Sequence, residues 1–152
     1  MPGISSCPAD THLMTEIPAT TISAYLETDY CVSAKPPFIL RAEVFSEPLA
    51  ELYRLHKVDC AVFVTACNPL SQVIAWDENA ARQTKLAEEL KQRGLVYFEG
   101  VGKHPSGGWP EEPSYLALGL SLEAAKALGQ KYGQNAVLWC GADAIPKLVL
   151  LR

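Results

Sequence analysis

The sequence lacks the patterns that direct a chain into a membrane or onto nucleic acid. No apolar run approaches the roughly 20 residues that a membrane-spanning helix requires, and the first twenty residues show no basic region followed by an apolar one. No run of Lys and Arg is present, and the formal net charge is −4. Because sequence-independent binding to nucleic acid depends on basic contacts with phosphates, we expect neither nucleic acid nor a membrane among the partners.

Motifs for metals, phosphates and disulfides are also absent. The chain has no C-x-x-C or H-x-x-x-H spacing and no cluster of aspartates, so no metal site is predicted, and no pattern identifies a cofactor. The segment GVGK lacks the full spacing of a phosphate-binding loop. The five cysteines are odd in number and lie mostly in apolar stretches, which predicts free thiols and a reducing, cytoplasmic location.

The composition is that of one globular domain. The chain has 152 residues, of which 49% are hydrophobic and 20% charged, so it is long enough to bury a core without a disulfide or metal. Residues 1–22 are rich in Ser, Thr, Pro and Ala without periodicity, which predicts a flexible tail, and Met14 is an alternative to Met1 as the natural start. Residues 23–152 are predicted to form a single α+β domain. No pattern indicates an oligomeric state.

Two strands and a helix are predicted before the main part of the domain. Ala24–Val32 and Phe38–Phe45 alternate in polarity and carry aromatic and β-branched residues, which favours a pair of strands. Ser46 precedes the segment EPLAELYRLHK and is typical of a helix N-cap, with Pro48 tolerated in the first turn.

The order of elements after Asp59 predicts a particular topology. A helix is expected between Asp77, as N-cap, and Gly94, as a left-handed stop. With this helix, residues 59–142 read as strand, helix, strand, strand, helix, strand, which is the ferredoxin-like, split βαβ plan with an antiparallel sheet. The first strand, CAVFVTA, should then lie beside the third, SYLALGL, and run antiparallel to it.

Four stretches carry a family likeness: FVTACNPLS, ENAARQTKL, GVGKHPSGGWPEEPSYLALG and KYGQNAVLW. Together they resemble the bacterial family that shares the domain of unknown function 3293. Cys67 stands where that pattern has an aromatic residue, and Gln83 where it has Asn. The resemblance supports the α+β architecture and selects residues, but the family implies no activity. The matching positions are Asn68, Pro69, Glu78, Asn79, Arg82, Trp109, Glu112, Pro113, Ser114, Gln134 and Asn135.

The predicted topology brings the polar residues to one end of the sheet. The first strand ends there, the first helix begins there, and the loop before Glu112 and the end of the second helix return to it. We therefore expect a site at this end. The candidate ligand-binding residues are Asn68, Ser71, Asn79, Arg82, Trp109, Ser114, Gln134 and Asn135.

Two charges raise the question of what the site does. Glu78, Arg82 and Leu86 are four residues apart, so they are predicted to share the inner face of the first helix. Arg82 could hold a phosphate or carboxylate in a two-pronged way, and Glu78 could act with Glu112 as an acid and a base. The simpler interpretation is a structural Glu78–Arg82 pair.

The leading functional hypothesis is a pocket for a small anionic or nucleotide-like ligand. The alternatives are a module for protein interaction and assembly without catalysis, and a hydrolase or transferase that uses Glu78 and Glu112. Trp109, in a Gly- and Pro-rich loop, is a candidate for stacking on a planar ligand, whereas Trp76 is predicted to pack as a hydrophobic staple. His104 is expected to be a solvated loop residue, and Cys67 a buried thiol.

Overall fold

A computed structural model describes residues 15–108 and 110–152. Residues 1–14, which contain Cys7 and Met14, and the single residue Trp109 lie outside the described residues. The predicted tail over 1–14, the choice between the two start residues and the stacking role of Trp109 therefore stay predictions.

Within these ranges the chain is a mixed α+β protein with four α-helices and one seven-stranded sheet. The helices are α1 (Ala19–Glu27), α2 (Glu47–His56), α3 (Trp76–Gln92) and α4 (Leu122–Lys131). The strands are β1 (Asp29–Val32), β2 (Phe38–Leu40), β3 (Ala61–Val64), β4 (Tyr97–Lys103), β5 (Glu112–Leu118), β6 (Ala136–Cys140) and β7 (Pro146–Leu150). The strand order is β2-β1-β4-β5-β3-β6-β7, and every neighbouring pair is antiparallel.

Strand β3 lies inside the sheet, between β5 and β6. Val62 pairs with Ala117 of β5 and with Trp139 of β6. The predicted antiparallel pairing of the first strand with SYLALGL is therefore confirmed. All four residues of β3 are buried, because both faces of the sheet are covered.

The alternation of side chains along β3 divides the core into two layers. Val62 and Val64 face α3 and α4, where they pack with Leu86, Leu90 and Leu128. Ala61 and Phe63 point to the opposite face, which α2 covers through Leu49 and Tyr53. This second face is the one on which the candidate site lies.

The helix ends follow their predicted signals in part. Ser46 caps α2, because its Oγ accepts a hydrogen bond from the backbone N–H of Leu49 at 3.2 Å. Gly94 follows α3 with φ of 71°, the left-handed conformation predicted for it. The predicted N-cap of α3 is wrong: the helix begins at Trp76 with Ala75 as N-cap, and Asp77 lies inside the first turn.

The N-terminal region differs most from the sequence prediction. Residues 19–22 were expected in the tail and residues 24–27 in a strand, yet both form α1. The buried residues Thr21, Ile22 and Ala24 explain the helix, because their spacing places them on one side of it, against the sheet. The next strand begins only at Asp29.

Two further expectations about this part of the molecule are corrected. Strand β2 ends at Leu40 and does not reach Phe45, because the chain turns through Glu43, whose φ is 69°. The side chain of Trp76 is 84% exposed, so it does not form a hydrophobic staple. No helix in the described ranges is long and apolar enough to cross a membrane.

Gly100 provides a test of the packing between β4 and its neighbours. A Cβ atom at Gly100 would lie 2.5 Å from the backbone oxygen of Cys31 and 2.8 Å from Cε2 of Phe63. We expect Gly100→Ala to destabilise the protein by about 1–3 kcal/mol, as overpacking does when backbone blocks relaxation. Gly102→Ala is the matched control on the same strand, since its Cβ would meet only Cγ2 of Thr28 at 3.6 Å. Urea denaturation of both variants measures the difference, and equal stabilities would contradict the packing described here.

Candidate functional site

A cavity of about 200 Å³ lies between α1 and the sheet face that carries Phe63. Ala24 and Tyr25 of α1 form one wall together with Thr28, the C-cap of that helix. The opposite wall is made by strand residues, and several of these are small, which leaves the space unfilled. The strand residues that line it include Tyr30, Phe63, Gly102, Glu112, Ser114, Ala136, Leu138 and Leu148.

The polar part of the cavity is organised by Asn68, just after β3. Its side-chain Nδ2 donates to Oε2 of Glu112 at 3.0 Å. Its Oδ1 accepts from Nδ2 of Asn79 at 2.8 Å and from the backbone N–H of Ile74 at 3.2 Å. The backbone N–H of Asn68 donates in turn to Oδ1 of Asn79 at 2.8 Å. The buried Asn68 amide therefore joins β3, α3 and β5.

The backbone around Asn68 is held in an uncommon conformation. Asn68, Leu70 and Ser71 all have positive φ, with values of 47°, 56° and 59°. Such values are unfavourable for a Leu, and they persist where the surroundings fix them. Here the N–H of Leu70 donates to the carbonyl of Gly133 at 2.7 Å, which ties the segment to the end of α4.

Glu112, the first residue of β5, supplies a carboxylate to the cavity. Burial raises the pKa of Glu112 above its ordinary value, although the hydrogen bond from Asn68 acts in the opposite direction. Oε1, the second carboxylate oxygen, accepts no hydrogen bond from the described residues. Glu112 is thus a half-buried acid with one oxygen fixed and one available.

A second polar cluster joins α1 to the body of the protein. The hydroxyls of Tyr25 and Ser71 lie 2.5 Å apart, and Nδ2 of Asn135 donates to Ser71 at 3.1 Å and to Tyr25 at 3.3 Å. Arg152 donates to Oδ1 of Asn135 at 3.2 Å. Ser71 and Asn135, both predicted from the sequence, therefore hold the α1 wall in place.

Arg82 lies behind the cavity. Its Nε donates to the carbonyl of Ala66 at 2.6 Å, and its NH2 donates to the carbonyl of Tyr132. Gln134 shares this arrangement, since its Nε2 donates to Tyr132 at 3.2 Å and to Cys67 at 3.0 Å. The guanidinium of Arg82 is therefore engaged by backbone carbonyls and does not line the cavity.

Glu78 lies outside the site, and it does not share the inner face of α3. Glu78 is exposed, whereas the inner positions of α3 are Asn79, Gln83, Leu86 and Leu90. A strict spacing of four drifts about 40° per step around a helix of 3.6 residues per turn, so a series 78, 82, 86, 90 cannot stay on one face. Steps of four, three and four residues back from Leu90 lead to Leu86, Gln83 and Asn79, so the inner polar residues of this helix are the amides Gln83 and Asn79.

The site also contains residues that were not among the sequence candidates. Tyr25, Thr28 and Tyr30 were missed because α1 was not predicted, although the helical spacing of Thr21, Ile22 and Ala24 was present in the sequence. Thr65 lines the cavity beside them.

His104 differs from its predicted solvated state. It lines the cavity, and its Nε2 lies 3.0 Å from Oε1 of Glu27 in α1. Its Nδ1 lies 2.7 Å from Oγ of Ser106. These two contacts connect the loop after β4 to α1.

The described cysteines and acidic residues show no further reactive site. Cys31, Cys60, Cys67 and Cys140 are free thiols. Burial raises the pKa of the Cys67 thiol, which favours its protonated form over a nucleophilic thiolate. In residues 15–108 and 110–152 no group of three or more His, Cys, Asp or Glu side chains is placed to hold a metal ion.

Replacement of Asn68 tests the role of its amide. Both Asn68→Ala and Asn68→Gly leave the hydrogen-bonding groups of Asn79, Ile74 and Glu112 without their partner. Each of these groups that water does not reach should lower the free energy of unfolding by about 1–3 kcal/mol. Glycine tolerates the positive φ, so we expect the Ala variant to be less stable than the Gly variant by about 1 kcal/mol. Urea denaturation of the two variants separates the side-chain effect from the backbone effect. Wild-type stability in Asn68→Gly would contradict the amide's role.

The raised pKa of Glu112 predicts a dependence of stability on pH. Above pH 4.5, the ordinary value, and up to its raised pKa, Glu112 keeps its proton in the folded protein but loses it when unfolded. Stability contributed by this group therefore falls as pH rises through that window. Glu112→Gln keeps an acceptor for Asn68 and removes the titration. The free energy of unfolding of the variant, relative to wild type, should rise as the pH increases from 4.5 through the raised pKa of Glu112. A difference that stays constant over that range would contradict the prediction.

The comparison with known proteins adds a family. Residues 64–137 match the family described as "Protein of unknown function (DUF3293)". No curated protein and no solved structure matches the chain. The matched segment runs from the end of β3 into β6, and it contains Asn68, Asn79, Glu112 and Gln134. Through this segment, just under half of the chain, the protein is similar to the DUF3293 family.

Proposed function

We propose that the protein binds a small organic molecule in the cavity between α1 and the sheet. The observation that carries the proposal is the cavity itself, in which an apolar floor meets a half-buried carboxylate held by Asn68. Binding sites commonly combine apolar walls with a few fixed polar groups in this way. The positive φ values beside Asn68 support the proposal further, because backbone strain gathers at functional sites.

The volume limits the size of the ligand. An apolar cavity of about 150 Å³ accommodates benzene, so about 200 Å³ suits one ring with a few substituents. This size fits a nucleobase or another single-ring molecule better than a complete nucleotide.

The lining favours binding over the acid–base chemistry considered from the sequence. Glu78, the expected partner of Glu112, is exposed and does not line the cavity. Arg82, the expected anchor for an anion, donates to the carbonyls of Ala66 and Tyr132. The proposal therefore includes neither a mechanism that uses Glu78 and Glu112 nor an anionic ligand held by Arg82.

A role in protein assembly is the second candidate. Leu70, Val73 and Trp76 are 42%, 73% and 84% exposed, and they follow one another along the segment between β3 and α3. Exposed apolar groups that lie close together favour contact with another molecule. This segment, more than the sheet edges, is where such a contact would form.

We also propose the finer fold class and the location. The order β4-β5-β3-β6, with α3 and α4 packed on one face, supports a ferredoxin-like core over residues 59–142. The four free thiols support a cytoplasmic location.

A screen of single-ring metabolites by thermal shift tests the proposed function. A ligand at ~100 times its dissociation constant should add roughly 2.7 kcal/mol to the free energy of unfolding. Gly102→Val places a side chain in the cavity on a strand where valine is favourable, so this variant should fold and lose the shift. Trp76→Ser is the matched control, because its exposed side chain does not line the cavity.

The two variants also separate the cavity from the exposed segment as the place where the metabolite binds. A shift that persists in Gly102→Val and disappears in Trp76→Ser would contradict binding in the cavity. A shift lost only in Gly102→Val is the expected result.

A further inference from the structure

We propose that the ligand of the cavity is an organic cation, with an ammonium or amidinium group on a single-ring body, and that Glu112 is its counterion. This inference rests on the proposed function and specifies the chemistry of that same site. It follows from the charges of the lining, from its hydrogen-bond donors and from its aromatic rings.

The charges of the lining favour a cation. Glu112 is the one carboxylate among the described lining residues, and these include no Lys or Arg. His104 is accompanied by the carboxylate of Glu27 at 3.0 Å, so any positive charge on the imidazole has its own partner. A positive group on a ligand would therefore meet Glu112 without a competing side-chain cation.

The hydrogen-bond donors of the lining are already used. Four hydroxyl groups that line the cavity donate to backbone carbonyls of the protein itself. These are Thr28 to Ala24, Tyr30 to Tyr25, Thr65 to Pro113 and Ser114 to Glu112, at distances between 2.6 and 3.0 Å. The amides of Asn68 and Gln134 likewise donate to protein oxygens. Apart from the second N–H of the Asn68 amide and one hydroxyl hydrogen of the Tyr25–Ser71 pair, this part of the lining presents acceptors, which suits a ligand rich in donors.

Glu112 is placed to receive such a donor. Oε2 is fixed by Asn68, whose Oδ1 accepts from Asn79 and Ile74 and so prevents the amide from turning away. Oε1 accepts nothing from the described residues. A cationic N–H group beside Oε1 would donate the hydrogen bond that this oxygen lacks and would favour the ionised form of the carboxylate.

The aromatic rings complete the argument. Tyr30 and Phe63 both line the cavity and contact each other edge to face, with ring centroids 5.2 Å apart. The hydroxyl of Tyr30 is held by the carbonyl of Tyr25, so its ring has a fixed orientation. Aromatic rings attract organic cations through their negative faces, and a carboxylate beside them adds to this selectivity.

Three probes of the same shape test the inference on the full chain: benzamidine, benzamide and benzoate. Hydrogen bonds to a charged group contribute about 1.5–3 kcal/mol. We therefore expect calorimetry to show benzamidine binding wild type roughly 10- to 100-fold more tightly than benzamide, with benzoate weaker than both. In Glu112→Gln the preference for benzamidine over benzamide should fall to about 1. Glu78→Gln is the matched control, because it removes an exposed carboxylate outside the cavity and should keep the preference.

The outcomes separate this inference from the proposed function. If benzamidine and benzamide bind wild type with equal affinity and neither binds Gly102→Val, the inference of a cationic ligand is overturned. The cavity would still be supported as a binding site. A preference that survives in Glu112→Gln would overturn the role of Glu112. If Glu112→Gln does not fold, the comparison of the three probes on wild type decides between the cation and the neutral ligand. No binding of any probe to wild type would overturn the inference, while a metabolite shift lost in Gly102→Val would still support the proposed function.

Discussion

The candidate site depends on the hydrogen bonds of the Asn68 side-chain amide. This amide receives donors from α3 and from the following loop on one side and supplies a donor to Glu112 on the other. Because the residue is buried, each of these groups would lose a partner that water cannot replace. One side chain thereby fixes the direction of the Glu112 carboxylate and the path of the chain from β3 to α3.

Other polar side chains near the site form hydrogen bonds with the protein itself, which explains why they are close together without forming an obvious catalytic centre. Arg82 and Gln134 hold backbone carbonyls near the end of α4, and Asn135 holds Ser71 and Tyr25. Arg82 and Asn135 support the wall of the cavity from behind, whereas Gln134, Ser71 and Tyr25 line it. What faces the interior is mainly aromatic, aliphatic and acceptor-rich, and this combination determines which molecules the site can admit.

The sequence predicted the mixed α+β class and the antiparallel pairing of β3 with β5, because the signals there are local and agree with one another. The apolar β3, the cap at Ser46 and the stop at Gly94 each have a direct structural cause. Asn68, Ser114 and Gln134 were also placed at the correct end of the sheet, since strand direction alone brings them there. The failures have equally clear causes. A strict spacing of four selected Glu78, whereas the helix turns Asn79 inward. The Thr- and Ala-rich residues before Tyr25 concealed α1, whose stability comes from packing on the sheet.

The segment that defines the family begins at Val64 and ends at Val137, whereas α1 lies well before it. The carboxylate and its amide partner thus belong to the shared segment, but one whole wall of the cavity does not. Two proteins that share this segment can therefore keep the same charged group and present it to spaces of different shape. In evolutionary terms, the Glu112–Asn68 pair and the α1 wall are encoded in separate parts of the chain, and each can change without the other.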